Sequence, residues 1–305
     1  MARRAKKGRD ITGIIVVDKP IGRSSNHILQ QVRRLFSANK AGHTGNLDPL
    51  ASGVLPICLG EATKLSGYLL DADKAYEVEC QLGVVTDSGD ADGEVIETLA
   101  IPVFDAQVLQ SVVAQFIGEQ EQVPPMFSAL KYQGQPLYKL ARQGIEVERK
   151  SRRICIYGIE ILQCTADSFR LAVRCSKGTY IRTLVEDISH KLGTGGHVTM
   201  LRRTHAAGYD LTHALTLEQL TQLAEQGLSA LDERLQAAHE ALPDWPEVHL
   251  DEADSQRICF GQTVTINQAF VCANVRLFDH QARFIGLGEM TPAGLVSPKR
   301  LFVLA

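Results

Sequence analysis

The stretch GHTGNLDPLASGVLPICLG, residues 42–60, places four glycines and two prolines around a single acidic residue, Asp48. Glycine lets a backbone approach a ligand closely, and Pro49 restricts the chain directly after the acid. We therefore expect a loop-rich segment that holds a carboxylate rigidly at a cleft. A surface turn capped by an aspartate is the alternative interpretation, and the local pattern alone does not separate the two.

The segments on either side of this stretch alternate irregularly between strand and helix patterns. The run from Ile14 to Val17 predicts a short buried strand, and Ser24 or Ser25 offers an N-cap for the helix that follows. Alternating apolar side chains predict later strands over residues 76–82, 154–161 and 169–175. Apolar residues at helical spacing predict helices over residues 108–116, 184–192, 217–223 and 231–242. This order predicts an α+β fold with a mostly antiparallel sheet rather than a doubly wound one.

Length and composition indicate two globular domains. The chain has 305 residues, of which 45% are hydrophobic and 22% are charged, so it can bury a sizeable core. Pro243 to Pro246 predict a linker, and the residues after it show short β-type runs without a helical period. We expect a first domain over residues 1–243 and a small β-barrel or sandwich over residues 247–305.

The net charge of −3 conceals an uneven distribution. Residues 1–10 carry a net +4 and residues 123–153 a net +5, whereas residues 205–305 carry a net −7. A single basic run is most often solvated surface, but two runs flanking a candidate catalytic segment favour a phosphate-rich partner. The acidic C-terminal third offers phosphate little attraction.

Several familiar sites and signals are missing from the sequence. There is no GxxxxGK[ST] loop, no GxGxxG after a strand and no GxSxG elbow. The segment from Ser88 to Leu99 fails as a calcium loop, because its first position is serine and its twelfth is leucine instead of glutamate. We therefore expect chemistry without a metal or a cofactor. No apolar run approaches the ~18 residues that span a bilayer, and no secretory signal is present. With seven cysteines and no Cys-x-x-Cys pair, we expect a reduced, cytoplasmic protein without a membrane association.

Six blocks in the first ~240 residues resemble sequence motifs of one enzyme family, and they occur in the same order as in that family. They are GIIVVDKPIGRSSN (13–26), AGHTGNLDPLASGVLPICLGEATK (41–64), DKAYEVECQLGVVTDSGDADGE (73–94), QVPPMFSALKYQGQPLYKLARQGIEVERKSR (122–152), CSKGTYIRTLVEDI (175–188) and GGHVTMLRRT (195–204). The family is that of the TruB-type bacterial pseudouridine synthases, which modify uridine 55 in the T-loop of tRNA. FIGLGEM (284–290) and VSPKRLFVL (296–304) resemble, more weakly, the small RNA-binding PUA domain of these enzymes.

This resemblance implies both a fold and a reaction. The fold is a mixed, mainly antiparallel sheet with flanking helices, a thumb insertion over residues 123–153 and a C-terminal PUA domain. In the reaction, the target uridine is flipped out of the RNA, its N-glycosidic bond is cut, and the base rejoins the sugar through C5. An accompanying tRNA-folding activity is compatible with it. The implied partner is the T-arm of tRNA, and we expect a monomer without a protein partner.

The resemblance also assigns roles to individual residues. Asp48 is implied to be the catalytic acid residue, and Arg182 the cation that keeps it ionised. A carboxylate suits either covalent attack or proton abstraction from the sugar, and the sequence does not separate these routes. Asn46 stands where the family usually has alanine, and we expect it to be tolerated because the Leu-Asp-Pro that follows is intact.

The remaining candidate residues are implied to contact the substrate. The ring of Tyr76 would stack on the flipped base, and its hydroxyl would assist proton loss at C5. Tyr180 and Leu201 would line the same pocket, and His43 would occupy the space that the flipped nucleotide leaves. Three rival functions stay open at this point: an RNA-binding or RNA-folding module without catalysis, a synthase of the same fold acting on ribosomal or guide-directed RNA, and an unrelated metabolic enzyme.

Overall fold

The computed structural model describes residues 8–266 and 273–303, so the basic residues before Gly8 lie outside the described part of the chain. The helices are α1 (Ser25–Leu35), α2 (Ser66–Leu70), α3 (Ala106–Val113), α4 (Leu137–Ala141), α5 (Ile181–Lys191), α6 (Leu217–Gln226), α7 (Leu228–Asp232) and α8 (Glu252–Cys259). Short 3₁₀ turns cover Gly60–Leu65, Ala114–Phe116, Leu211–His213 and Ala238–Ala241. The strands are β1 (Gly13–Lys19), β2 (Ala41–His43), β3 (Ser52–Leu59), β4 (Lys74–Leu82), β5 (Val84–Thr86), β6 (Val95–Thr98), β7 (Gly118–Gln122), β8 (Lys131–Tyr132), β9 (Gln135–Pro136), β10 (Arg152–Cys164), β11 (Ser168–Cys175), β12 (Gly196–Ala206), β13 (Tyr209–Asp210), β14 (Glu247–His249), β15 (Val264–Thr265), β16 (Asn274–Phe278), β17 (Phe284–Met290) and β18 (Leu295–Leu301).

A nine-stranded sheet organises the first 210 residues. Its order is β1-β3-β12-β4-β11-β10-β7, with β2 beside β3 and β13 beside β12. Every pairing in this sheet is antiparallel except that of β12 with β3. The predicted α+β class with a mostly antiparallel sheet is therefore confirmed.

The centre of the sheet follows the alternation that the sequence shows. In β4, buried and half-buried residues alternate from Lys74 to Leu82. Tyr76, Val78 and Cys80 face a core that also takes in Leu109 of α3 and Leu184 of α5. Because successive side chains of a strand point to opposite faces, this alternation leaves the other face of β4 polar. The long strand predicted over residues 154–161 is β10, which bends at register shifts after Ile156 and Ile161.

The segment predicted as loop-rich from 42 to 60 is only partly so, because residues 52–59 form the wholly buried strand β3. β3 pairs with β1 along its full length and places Pro56 opposite Val16. A strand covered on both faces shows a continuous apolar run instead of alternation, and the glycines and prolines obscured that run. Gly53 is required here, since its φ is +101° and a Cβ would lie 2.2 Å from the Arg203 carbonyl oxygen.

Two helix predictions have opposite outcomes. Ser24 caps α1, where its side chain accepts a hydrogen bond from the backbone N–H of His27, as predicted. The helix predicted over residues 231–242 is wrong, because α7 ends at Asp232. Gln236 instead pairs with β1, exchanging backbone hydrogen bonds of 2.8 and 2.9 Å with Ile14. A contact between positions so distant in sequence overrides the local helical spacing.

The C-terminal residues form a separate five-stranded sheet in the order β14-β16-β17-β18-β15. The expectation that this region lacks a helix is wrong, because α8 begins at the N-cap Asp251. Its sequence is polar, and only Ser255 and Ile258 are buried, so its helical period is weak. Within the described residues, no helix is long and apolar enough to cross a membrane.

The segment predicted as a linker, Pro243–Pro246, begins with two exposed residues but packs at Trp245 and Pro246. Trp245 meets Tyr68 edge to face, with ring centroids 5.0 Å apart. Arg276 of β16 donates through Nε to the Trp245 carbonyl at 2.8 Å, and its backbone N–H donates to the Pro246 carbonyl. A polar linker signal from proline and aspartate does not reveal such contacts, because they depend on a strand thirty residues later.

Candidate active site

A cavity of about 590 Å³ opens where β4 and β12 meet the loop that follows β2. The turn from Lys177 to Tyr180, the start of α5 and part of the segment after β7 complete its wall. Of the residues that the sequence nominated, the structure brings five together in this wall: Asp48, Tyr76, Tyr180, Arg182 and Leu201. His43 does not line the cavity.

An ion pair between Asp48 and Arg182 lies in the cavity. Asp48 Oδ2 and Arg182 Nη2 are 3.0 Å apart. The Arg182 side chain is only 4% exposed, and it also donates to the carbonyls of Ser88 and Phe127. Its Nε lies 3.6 Å from Asp90 Oδ2. Arg182 therefore ties the Asp48 loop to two other segments, and its charge is fixed at the carboxylate.

The electrostatic environment of Asp48 contains opposing effects. Burial raises the pKa of this carboxyl, and the nearby Asp90 raises it further. The charges of Arg182 and Lys19 act in the opposite direction. The Asp48 side chain is still 33% exposed, so its carboxylate is accessible from the cavity while two cations favour its ionised form.

The Asp48 loop is held rigidly, as its composition predicted. Lys19 is completely buried at the end of β1 and donates to the carbonyls of Pro49 at 3.4 Å and Ala51 at 2.5 Å. On the other side of the acid, the Leu47 backbone N–H donates to Ser25 Oγ at 2.7 Å. Burial lowers the pKa of Lys19 to about 8, although the charge of Asp48 opposes this. The rigid-carboxylate interpretation is favoured over a simple surface turn.

Arg203 is a second buried cation at this site. It stands opposite Tyr76 in the β12–β4 register and has no solvent exposure. Its Nε donates to the Val54 carbonyl at 2.7 Å, and its other nitrogens reach the carbonyls of Gly45 and Asn46 at 3.4 and 3.5 Å. Its charge also acts on Tyr76, which faces it across the two strands. Burial raises the pKa of Tyr76, and the Arg203 charge opposes that rise.

Tyr180 stands at the N-cap of α5 and is fixed by its backbone. Its N–H donates to Gln122 Oε1 at 2.8 Å, and Gln122 Nε2 donates back to the Tyr180 carbonyl at 3.0 Å. The guanidinium of Arg152 covers the Tyr180 ring at 4.6 Å from its centroid. The Tyr180 backbone is therefore anchored to β7, and its ring packs against the first residue of β10.

Comparison with known proteins places the chain in a family. Models of the N-terminal domain of the TruB family of pseudouridylate synthases and of two TruB C-terminal domains match residues 33–181, 182–243 and 246–302. A tRNA pseudouridine synthase B of Nitrosococcus oceani is 50% identical over 98% of this chain and 97% of its own length. The chain belongs to the TruB family of pseudouridylate synthases. A protein of the same description from Stutzerimonas stutzeri is 52% identical over 99% of both chains.

Solved structures agree with this TruB-family assignment. A chain in the crystal structure of a Cbf5-Nop10-Gar1 complex superimposes with a TM-score of 0.75 at 25% identity, covering 95% of this chain and 85% of that one. A chain of an H/ACA RNP bound to a substrate RNA containing 2′-deoxyuridine has a TM-score of 0.74 at 21% identity, covering 99% of this chain and 92% of that one. At that identity the second likeness concerns the fold alone. The predicted pseudouridine-synthase fold is confirmed.

Sequence reasoning missed Lys19 and Arg203, although both lie in stretches that resemble the TruB family. Arg203 follows Leu201 by two residues, so both side chains share one face of β12 and line the cavity. That alternation was available in the sequence as a signal. The sequence around Lys19 contains no comparable signal, because the contacts of Lys19 with Pro49 and Ala51 depend on how the loop folds back over β1.

His43 and Asn46 take different places around this TruB-family site. His43 lies on β2 outside the cavity wall, its buried Nδ1 has no hydrogen-bond partner in the described part of the chain, and burial lowers its pKa. Asn46 exposes its side chain and bonds Arg203 only through its carbonyl, which suits asparagine or alanine equally. Among the described residues, no group of three or more His, Cys, Asp or Glu side chains is placed to hold a metal ion.

Proposed function

We propose that this chain isomerises uridine to pseudouridine at position 55 in the T-loop of tRNA. The observation that carries the proposal is the Asp48–Arg182 ion pair, 3.0 Å long, in a cavity also lined by Tyr76, Tyr180 and Leu201. The names of the relatives, each a tRNA pseudouridine synthase B, support tRNA as the substrate. The position within tRNA rests on the resemblance of the six sequence blocks.

The target base must leave its stack before it can reach Asp48. A cavity of about 590 Å³ is large enough for an extruded nucleotide. The nearly buried ring of Tyr76 offers a stacking surface, and Leu201 and Ile181 add apolar wall. Apolar walls exclude water from the detached base, so the base is retained until it is rejoined.

The chemistry then needs a carboxylate and a proton acceptor, without a redox step. Asp48 either attacks the sugar at C1′ or removes a sugar proton as the N1–C1′ bond breaks, and both routes remain open. The base turns and C5 bonds to C1′. In the covalent route this bond displaces Asp48 from C1′, and in the other route Asp48 returns the proton to the sugar. The C5 proton then leaves while N1 gains one. Arg182 stabilises the Asp48 carboxylate, and the Tyr76 hydroxyl, under the influence of the Arg203 charge, assists the proton loss at C5.

Two further parts of the chain extend the RNA contact. Residues 123–153 would act as the thumb, with the hairpin β8–β9 and helix α4 carrying exposed cations. The Phe127 carbonyl links this thumb to Arg182 at 2.6 Å. The domain division at about residue 245 would make residues 247–305 a second RNA-binding unit. We expect the enzyme to act on free tRNA in the cytoplasm as a monomer.

Tritium release from a T-arm hairpin labelled at C5 of its uridine tests the proposal. The wild-type chain should release tritium, whereas Asp48→Asn should lose turnover and keep RNA affinity within about tenfold, because the change is nearly isosteric. Turnover of Asp48→Asn near the wild-type rate would reject Asp48 as the catalytic residue. The assigned position is tested on full-length tRNA in which uridine 55 is replaced by another nucleotide. Tritium release that continues undiminished from this tRNA would come from other uridines and would reject position 55.

A further inference from the structure

Cations outnumber acids in the cavity wall. The acids are Asp48 and Asp71, and the cations are Lys74, Arg152, Arg153, Lys177, Arg182 and Arg203. Most of these cations already have protein partners. Arg182 pairs with Asp48, Arg153 lies 3.7 Å from Glu121, and Lys74 and Arg203 bond backbone carbonyls. The two cations of the wall that remain available to a ligand are Arg152 and Lys177.

Arg152 is the cation in this wall without a polar partner in residues 8–266 and 273–303. Its Nε is shielded from solvent and has no hydrogen-bond acceptor. Its neighbours are the Tyr180 ring, 4.6 Å from its Cζ, and Gly178, where a Cβ would lie 3.3 Å from the same atom. Among the described residues its Nη1 and Nη2 have no partner either, and they are not shielded from solvent, so these two donors are accessible to a ligand in the cavity.

Lys177 stands one residue before Gly178 and has an exchangeable partner. Its Nζ lies 2.8 Å from Asp71 Oδ2, but the two side chains are 57% and 63% exposed. Exposed ion pairs contribute little to stability, so the Lys177 ammonium is free to turn toward another anion. Arg152 and Lys177 therefore place a fixed guanidinium and a mobile ammonium along the same cavity wall.

We propose that Arg152 and Lys177 form an anion subsite that binds a phosphodiester of the substrate strand beside the extruded nucleotide. This inference rests on the proposed function, since an extruded nucleotide brings its flanking phosphates to the cavity. A guanidinium matches the oxygens of a phosphate with a planar pair of donors. Stacking on Tyr180 holds the Arg152 guanidinium in place before binding, which lowers the entropic cost of the contact.

The test compares RNA hairpins that differ in one charge. A T-arm hairpin receives a neutral methylphosphonate at the phosphate 5′ or 3′ of the target uridine, and affinity is measured by titration. All proteins carry Asp48→Asn so that the RNA is not converted. One neutral linkage should weaken binding to the Asp48→Asn protein about tenfold, because a charged hydrogen bond is lost. With Arg152→Gln added, the charged and neutral hairpins should bind equally.

Lys150→Gln is the matched control, because Lys150 is exposed and lies outside the cavity wall only two residues away. It should lower overall affinity and keep the tenfold discrimination. Arg152→Lys, which retains the charge without the planar donors, should discriminate by an intermediate factor. The subsite would be overturned if the Asp48→Asn protein bound the charged and neutral hairpins equally, or if Arg152→Gln left the tenfold difference unchanged. Either result would leave the proposed function intact. A wild-type chain that does not bind the unmodified hairpin would overturn both.

Discussion

At the scale of single residues, the site depends on cations that are buried against backbone carbonyls. Lys19 and Arg203 have no solvent exposure, and among the described residues neither has a carboxylate within ion-pair distance. Burying such charges costs stability, so their presence needs another reason. Both cations hold the loop that carries Asp48. Lys19 bonds the carbonyls of Pro49 and Ala51, and Arg203 bonds those of Gly45 and Asn46.

Lys19→Met should separate catalysis from stability. The substitution removes the loop anchors and also a buried charge, so we expect a free energy of unfolding within about 1 kcal/mol of wild type. The rate of the chemical step should fall about 10- to 100-fold, because small displacements of a reacting group are costly. Single-turnover tritium release and urea denaturation measure the two quantities. An unchanged single-turnover rate would show that the loop does not need its Lys19 contacts.

Glu186 of α5 should make stability depend on pH. Burial raises its pKa to about 7, with Asp187 and Asp90 adding to the rise and Arg182 opposing it. Because the folded state binds this proton more tightly than the unfolded state, the contribution of Glu186 to stability falls as pH rises from about 4.5 to 7.

Glu186→Gln should therefore be more stable than wild type at pH 8, by about 1–2 kcal/mol, and differ little at pH 5. Chemical denaturation at the two pH values measures the difference. Glu225→Gln, at an exposed position of α6, is the control and should show no such dependence. An equal effect of Glu186→Gln on the free energy of unfolding at both pH values would contradict a raised pKa of Glu186.

At the scale of elements, the segment over residues 123–153 contains cations of two kinds. Arg149 donates to Glu146 and to the Pro124 carbonyl, so it serves the segment itself. Lys131, Lys139 and Lys150 are exposed, and within the described residues their side chains have no hydrogen bond or ion pair. These lysines are the cations most available for contact with phosphates.

The variant Lys131→Gln/Lys139→Gln/Lys150→Gln should bind the T-arm hairpin with a weaker salt dependence. Each lost phosphate contact lowers the slope of log K against log salt concentration by about 0.7–0.9, so the triple change should lower it by about 2–3. Titrations at several salt concentrations measure the slope. Lys191→Gln, exposed at the far end of α5, should leave it unchanged. An unaltered slope in the triple variant would remove the thumb from the RNA interface.

At the scale of the whole molecule, the C-terminal sheet is docked on the first. The Val303 backbone N–H donates to Glu61 Oε2 at 2.9 Å, and Lys64 Nζ donates to the Leu301 carbonyl at 2.6 Å. Leu287 and Phe284 join an apolar cluster with Ile14 and Val54 of the first sheet, and Phe302 and Trp245 pack there as well. Strand β17 and Phe302 therefore contribute to the core of the first region.

Truncation after Leu242 should leave a folded enzyme that is less stable than the full chain. The cavity draws its lining from residues 45–203, so kcat on a T-arm hairpin should persist, while KM for full-length tRNA should rise. Exposure of the apolar cluster should lower Tm by about 5–10 °C. Calorimetry and steady-state kinetics measure these effects, with the exposed-surface variant Phe260→Ser as control. A hundredfold loss of kcat on the hairpin would contradict the expectation that the residues after Leu242 contribute to tRNA affinity and stability and not to the chemical step.

The sequence by itself determined the local features of this protein. The alternation in β4 and β11 and the cap at Ser24 depend on neighbouring residues, and they were predicted correctly. The ordered blocks also indicated Asp48, Tyr76, Tyr180, Arg182 and Leu201, which the structure brings into one cavity. Their individual roles stay predictions until the variants are measured.

Only the tertiary structure decided the features that depend on contacts between distant segments. β3 is buried on both faces, Gln236 pairs with β1 instead of continuing a helix, and Trp245 packs against Tyr68. Arg203 and Lys19 became part of the site because β12 and β1 meet the Asp48 loop in space. Such contacts are decided by strand register and burial across the whole chain, and local composition does not encode them.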